Sequence, residues 1–350
     1  MTHTNRSILV TGGFGFIGSH LVEQLLSDPF ATVHVVDDLS SSPIRLEAYL
    51  AGLPDRSRLK YQICTVKEYF RKQDLPRFDE IFHLANVVGP VAILEYGGEM
   101  VRRTVEDTYA IVDYAVATGA SLCDVSTSEV YGGCRSGGCS ETDSMIVSPN
   151  TSIRLEYSVA KLAAEVMLMN VVKRTNLRAM IVRPFNVVGP RQMGSGGFVL
   201  PRFIRQALAE QDLTVYGDGQ MIRAFTYVAD VVDGIIRALR KGRPGEAYNI
   251  GNPANKTTIL QLAETVIRLC GSSSRITFVD PKKLWGPLFE EAGDKYPDAT
   301  KASVELGWHP RFGFEDTIRT TIDTLRTPHG KAYAPHFAIR QSLLELSQSR

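Results

Sequence analysis

The chain has 350 residues, with 39 Lys plus Arg against 38 Asp plus Glu, and 44% apolar residues. That length has room for one large or two interlocked domains, and the near-balance of charge excludes a general electrostatic grip on nucleic acid. The composition is that of a folded globular chain, which excludes disordered, fibrous and small disulfide-stapled classes. No apolar run is long enough to cross a bilayer. MTHTNRS runs straight into a strand-like ILV, so no secretory leader and a cytoplasmic location are expected.

In chain order, Ile8 to Val10 reads as a strand, followed by a helix with Ile17, Leu21, Val22, Leu25 and Leu26 on one face. Thr32 to Val36 is a second strand and Glu80 to Ala85 another. A helix is expected from about Met100 to Thr118. Strands follow at Ser121 to Thr127, Ala179 to Arg183, Phe225 to Val228 and Ala247 to Ile250. Continuous apolar strands alternating with helices predict an α/β, doubly wound parallel sheet of the Rossmann kind, covered on both faces. The second half is less regular, with Pro/Gly-rich joints at Val187 to Gly197 and Lys241 to Glu246. Helices are expected at about 199–210 and 258–270, and a loop at 280–300. The predicted division is a dinucleotide-binding domain (1–186 plus 221–250), a smaller C-terminal substrate-binding lobe (187–220 plus 251–330) and a tail (331–350) with a short amphipathic helix at SLLEL. The five cysteines, Cys64, Cys123, Cys134, Cys139 and Cys270, lack the spacing of a zinc site and are expected to be free thiols.

Three motifs carry chemistry. TGGFGFIGSH, Thr11 to His20, follows a strand and opens a helix. Gly12 suits a tight turn, Gly15 lets backbone approach a pyrophosphate, and Gly18 lets the helix pack on the sheet. Phe16 and Ile17 then offer amides at a positive helix end. Asp37, nineteen residues past Gly18, is placed for ribose hydroxyls and would repel a 2′-phosphate, favouring NAD over NADP. The second motif is Tyr157 and Lys161, one helical turn apart. A phenol near pKa 10 needs a neighbouring positive charge to serve as a base. The third is Ser126 to Gly132, at a strand's C-terminal end where open parallel sheets bind ligands. Thr127 and Ser128 offer hydroxyls there, and Glu129 an acid or base. Read alone, each also has an ordinary explanation: a plain turn, a half-buried helix face, a Ser/Thr-closed strand end.

Together, in this order and at these separations, the motifs resemble the extended short-chain dehydrogenase/reductase family of NAD-dependent nucleotide-sugar epimerases, dehydratases and decarboxylases. FHLA (residues 82–85), RPFNVVGPR (183–191), LTVYGDGQMIRAFTYVADVVDGI (213–235), YNIGNP (248–253) and PDATKASVELGWHP (297–310) extend the resemblance over nearly all of residues 7–325. It implies NAD as cofactor, with Leu84 and Ala85 at a cofactor-contacting strand end and Tyr157 and Lys161 serving both cofactor and catalysis. It implies a UDP-sugar substrate, with Ser128, Asn186, Arg191, Tyr216, Arg223 and Lys295 facing it, and a homodimer formed by two helices from each subunit. Thr127-Ser128-Glu129 with Arg223 is most similar to UDP-glucuronate decarboxylases. That similarity implies oxidation at sugar C4, loss of CO₂ from the resulting β-keto acid, and UDP-xylose or a UDP-4-keto-pentose as product. Arg223 would hold the carboxylate, the enolate oxygen or the diphosphate, and Glu129 would protonate C5 or disfavour the charged carboxylate. Departures are Thr65 where an adenine-contacting Asp is usual, Thr104 for an Asn, and Lys295 for an arginine facing the nucleotide. The alternatives are 4-epimerisation of UDP-glucuronate or a UDP-hexose, and a non-catalytic NAD-bound scaffold.

Overall fold

The computed structural model describes residues 5–89, 93, 96–132, 138–145, 153–192, 197–285 and 293–326. The first part runs β1 (Arg6–Thr11), α1 (Phe16–Leu26), β2 (Ala31–Asp37), α2 (Leu46–Gly52), β3 (Leu59–Ile63), α3 (Val66–Phe70) and β4 (Glu80–His83). Next come α4 (Met100–Thr118), β5 (Ser121–Val125), α5 (Ile153–Arg174), β6 (Ala179–Pro184), β7 (Val187–Val188), α6 (Val199–Leu208) and β8 (Leu213–Tyr216). The rest comprises β9 (Ile222–Ala224), β10 (Thr226–Tyr227), α7 (Val228–Lys241), β11 (Ala247–Ile250), β12 (Lys256–Thr258), α8 (Ile259–Cys270), β13 (Ile276–Val279), α9 (Pro281–Trp285), α10 (Thr300–Leu306) and α11 (Phe314–Arg326).

Seven strands form one sheet in the order β11-β6-β5-β4-β1-β2-β3, and their pairings are parallel. Side chains alternate across it. Ile8 and Val10 join an apolar layer with α1 and α7, whereas Leu9, Ile81 and Leu122 join the opposite layer with α4 and α5. Burial on both faces is why these strands read as unbroken apolar runs. The order reverses between β1 and β4, which opens a crevice beyond the strands' C-terminal ends. No helix among the described residues is long and apolar enough to cross a membrane.

A second apolar cluster, including Leu200, Phe203, Val215, Leu262 and Ile318, builds the smaller lobe from α6, β8, α8 and α11. α8 opens on a capping box in which Thr258 accepts from the Gln261 amide and Gln261 accepts from the Thr258 amide.

Several details depart from the sequence expectations. Phe225 to Val228 does not extend the main sheet; β10 pairs with β7 as a separate ribbon, and Phe225 packs in the lobe. Two residues are too short to span a sheet edge, and α7 starts at once. Ala302, Leu306 and Trp308, expected in the lobe, pack in the α1/α7 layer. The stretch expected as a loop at 280–300 contains α9 and the start of α10. Cys64, Cys123 and Cys270 are free, but Cys139 is disulfide-bonded, which overturns the free-thiol expectation at that position. Cys134 and the SLLEL helix lie outside the described residues.

Trp308 is 1% exposed and its indole N–H donates to the Asp230 carbonyl oxygen at 2.8 Å, fastening the C-terminal segment to α7. Trp308→Ala should destabilise the fold by about 3–5 kcal/mol. A denaturant midpoint series measures this, and a loss within experimental error would contradict the anchoring role.

Candidate active site

The crevice at β1 and β4 is one cleft of about 650 Å³ running from the glycine loop to the small lobe. At its start the chain turns through Gly12, with φ +70°, where an added Cβ would meet the Ala85 backbone nitrogen at 2.7 Å. At Gly18 a Cβ would lie 2.0 Å from the Gly12 carbonyl oxygen. Only glycines allow α1 to begin this close to β1. Gly15 is the N-cap of α1 and makes no side-chain cap, and the first turn carries no acidic residue. Gly12, Gly15, Phe16, Ile17 and Gly18 all line the cleft. An anion-binding helix end therefore faces it.

Asp37 closes the other side of this cradle. Its carboxylate accepts from the Phe14 and Leu39 amides, each at 2.8 Å, and burial raises its pKa against those bonds. The same carboxylate thus holds the loop and borders the cleft. Leu84 and Ala85 line the cleft beside it. These groups fit an NAD molecule: amides for a pyrophosphate and a carboxylate for ribose hydroxyls. Thr65 also lines the cleft, but its hydroxyl N-caps α3 in a capping box with Glu68. Thr104 bonds to Asn86, whose side-chain amide donates to it at 3.1 Å.

Farther along, two residues past the end of β5, Thr127 N-caps a 3₁₀ turn over Ser128–Tyr131 and accepts from the Glu129 amide at 3.2 Å. The turn brings Thr127, Ser128 and Glu129 to the cleft wall. Tyr157 of α5 shares a hydrogen bond with the Thr127 side chain. Burial holds its phenol well above the ordinary range; the Thr127 bond opposes this, and the charges of Glu129 and Asp124 add to it. Lys161, one turn on and 1% exposed, donates to the Val125 carbonyl oxygen at 2.8 Å. The Thr127, Tyr157 and Lys161 side chains thus meet at the C-terminal end of β5.

The opposite wall comes from the lobe. Asn186, with φ +32°, follows β6 and lines the cleft. Arg223 donates to the carbonyl oxygens of Ile222 and Gly293, each at 2.8 Å, and its backbone bridges to Lys295. Lys295 is 1% exposed and its ammonium donates to Glu129. Nearby, Cys139 bridges to Pro297 and the Asn249 amide donates to the Cys139 carbonyl oxygen at 2.8 Å. The loop after β5 and the segment bearing Lys295 are therefore stitched together.

Two expected substrate contacts are placed differently. Lys295 turns to Glu129 and does not line the cleft, because a carboxylate of opposite charge stands within reach. Arg191 points to α1, where it donates to Glu23 at 2.5 Å and lies over the Tyr49 ring at 5.7 Å, so it too is off the cleft. Tyr216 does line the cleft, with the Arg202 guanidinium 4.0 Å from its ring centroid. Arg202, Asn86 and Phe225 were not singled out by sequence. Arg202 sits two residues past Leu200 on an amphipathic helix, where a charged residue reads as ordinary solvated surface.

Asp107 of α4 also lines the cleft, and burial pushes its carboxyl up to about 6 against the pull of Arg103. A carboxyl raised above its unfolded value stabilises most below that value and loses this contribution as pH rises through the folded pKa. Asp107→Asn should therefore gain stability relative to the parent chain between about pH 4 and 7. Thermal unfolding across that range checks this; a difference independent of pH would refute it.

The NAD dependent epimerase/dehydratase family model matches residues 8–251. Among curated relatives, UDP-N-acetyl-alpha-D-glucosaminuronate decarboxylase of Bacillus cytotoxicus is 34% identical over 320 residues, covering 91% of this chain and 97% of that protein. UDP-glucuronic acid decarboxylase 1 of Xenopus tropicalis is 32% identical, covering 92% and 72%. Among solved structures, UDP-glucuronic acid 4-epimerase from Bacillus cereus, in complex with UDP-glucuronic acid and NAD, superposes with a TM-score of 0.78 at 27% identity, covering 91% and 98%. With this cradle and this span of similarity, the chain belongs to the NAD-dependent epimerase/dehydratase family and takes NAD as its cofactor.

Proposed function

We propose that the chain decarboxylates UDP-glucuronate through a UDP-4-keto-hexuronate, yielding UDP-xylose where the hydride taken from C4 is returned to it, the 4-keto pentose where it is not, or both. The observation that carries this reading is a chain of contacts joining the two walls: Glu129 on one is joined to Lys295, and Lys295 is bridged through its backbone to Arg223 on the other. Two decarboxylases at 34% and 32% identity support it. Bound in its oxidised form, NAD supplies a hydride acceptor for sugar C4 and a positive ring that favours the Tyr157 phenolate. Tyr157 takes the C4 hydroxyl proton, with Thr127 sharing its hydrogen bond and Lys161 fixing charge beneath it. The C5–C6 bond of the resulting β-keto acid then breaks. Carbon dioxide leaves, and the electron pair delocalises onto the C4 oxygen. Arg223 offers a guanidinium to that developing charge. Glu129 disfavours a second carboxylate in the pocket, and the Glu129–Lys295 couple is the proton-bearing pair for C5.

Tyr157→Phe should slow reduced-nicotinamide formation about 10²–10⁴-fold. Glu129→Gln should impair CO₂ release far more than that first oxidation. Absorbance of reduced nicotinamide and capture of labelled CO₂ read the two steps; equal loss of both in Glu129→Gln contradicts its role. UDP-glucuronate and its 2-acetamido counterpart should be assayed side by side, since the two decarboxylase relatives are named for these two sugars. The second reading is 4-epimerisation, favoured by the solved 4-epimerase with the same hexuronate. UDP-galacturonate as sole product would establish it. A Tyr157→Phe protein unchanged in every assay would instead favour a scaffold.

We also infer a homodimer through α4 and α5. Val101, Tyr109 and Val116 are exposed at spacings of about two helical turns along α4, and Val166 is 52% exposed on the neighbouring helix. Light scattering should give twice the 38.6 kDa chain mass. Val116→Glu combined with Val166→Glu should halve it, and an unchanged mass would refute the interface.

A further inference from the structure

Three central strands place one polar residue each at the same level of the sheet. The register sets Thr11 beside His83, and His83 beside Asp124. Their neighbours two positions earlier, Leu9, Ile81 and Leu122, belong to the α4/α5 apolar layer, so the row points into that layer. None of the three is more than 1% exposed. Val36 and Ile181, both apolar, stand at either end of the row. A carboxylate set among such residues needs a compensating charge.

The row sets a neutral ring beside Asp124 and leaves its charge uncompensated; burial raises the Asp124 carboxyl, and the Lys161 charge opposes that rise. The Ala85 amide donates to the Thr11 hydroxyl oxygen at 3.4 Å, and that hydroxyl lies 2.7 Å from His83 Nδ1. With Thr11 donating to Nδ1, the ring proton sits on Nε2, which faces Asp124 Oδ1 at 3.9 Å. The opposite tautomer would turn a bare lone pair toward a carboxylate. Burial holds His83 neutral, down to about 3. Among the described residues, neither Asp124 oxygen receives a hydrogen bond.

The charges packed on this layer narrow the choice of partner. Arg183 of β6 is engaged by Glu165 at 2.5 Å and by Tyr131 at 2.7 Å. The buried polar residues of α4, Thr104 and Thr108, carry no charge. Cys123, on the same strand, packs on the opposite face. On α5 stand Tyr157 and Lys161, and the Lys161 ammonium bonds to the carbonyl of Val125, the residue next to Asp124.

We propose that Asp124 is the buried counter-charge of Lys161, a positioning residue that keeps the ammonium seated beneath Tyr157. The catalytic half of this inference rests on Tyr157 acting as the base. A negative charge here strengthens proton binding at Tyr157, so its removal moves the limb of the pH profile that Tyr157 sets toward acid.

The test uses the NAD-loaded enzyme with Asp124→Asn, and Asp124→Leu as a second variant. Reduced-nicotinamide formation from UDP-glucuronate is followed against pH. The limb set by Tyr157 should shift about one unit toward acid. A lower rate with an unmoved profile would mean a packing role and overturn the inference. In parallel, the thermal stabilities of Asp124→Asn, Lys161→Met and the double variant are compared without substrate. The double variant should lose less than the sum of the two singles; additive losses overturn the pairing. If no UDP-sugar yields reduced nicotinamide while the cycle remains non-additive, the proposed reaction fails and the charge pair stands.

Discussion

At Gly18 a side chain would collide with the Gly12 carbonyl oxygen, and at Gly12 with the backbone of β4's continuation. The end of β1, the start of α1 and residues 84–85 are therefore in backbone contact, with no side chain between them. Everything chemical in the molecule is measured from that contact. It directs the uncapped end of α1 into the crevice where the strand order reverses. Asp37 then locks the loop by accepting its amides, so the group that faces the cofactor also holds the cradle in shape.

From this fixed end the cleft reaches a second requirement, the placement of charge. Tyr157 is buried and strongly protonated in the protein alone. The Thr127 hydrogen bond favours its ionisation, and two anions, Glu129 and Asp124, oppose it. Both anions have cationic company: Glu129 is joined to Lys295, and Asp124 lies next to the strand end that Lys161 bonds. The site is thus a pair of charge couples set on either side of one phenol. Such an arrangement moves protons with little change in net charge, which is what a dry cleft requires.

The backbone frame was legible because periodicity and glycine spacing act locally. The α4 bounds, the strand runs and the crevice follow from which residues are apolar and where glycines fall. Phe225 to Val228 misled because its composition suits a strand while its pairing is set by a distant partner, β7. The same limit applies to side chains. That Arg191 turns to Glu23, or Lys295 to Glu129, depends on carboxylates 168 and 166 positions away along the chain. Asp124 was invisible for another reason. One carboxylate inside a strand looks like a solvent-facing residue until the register sets His83 beside it.

The stitch between Cys139 and Pro297 has a mechanical consequence. It fastens the loop after β5 to the segment that bears Lys295, and the Asn249 side-chain amide of β11 donates to the carbonyl oxygens of Cys139 and Asp298 on the two sides of the join. The Glu129 carboxylate and the Lys295 ammonium meet beside this join, so backbone bonds on both sides of it set their separation.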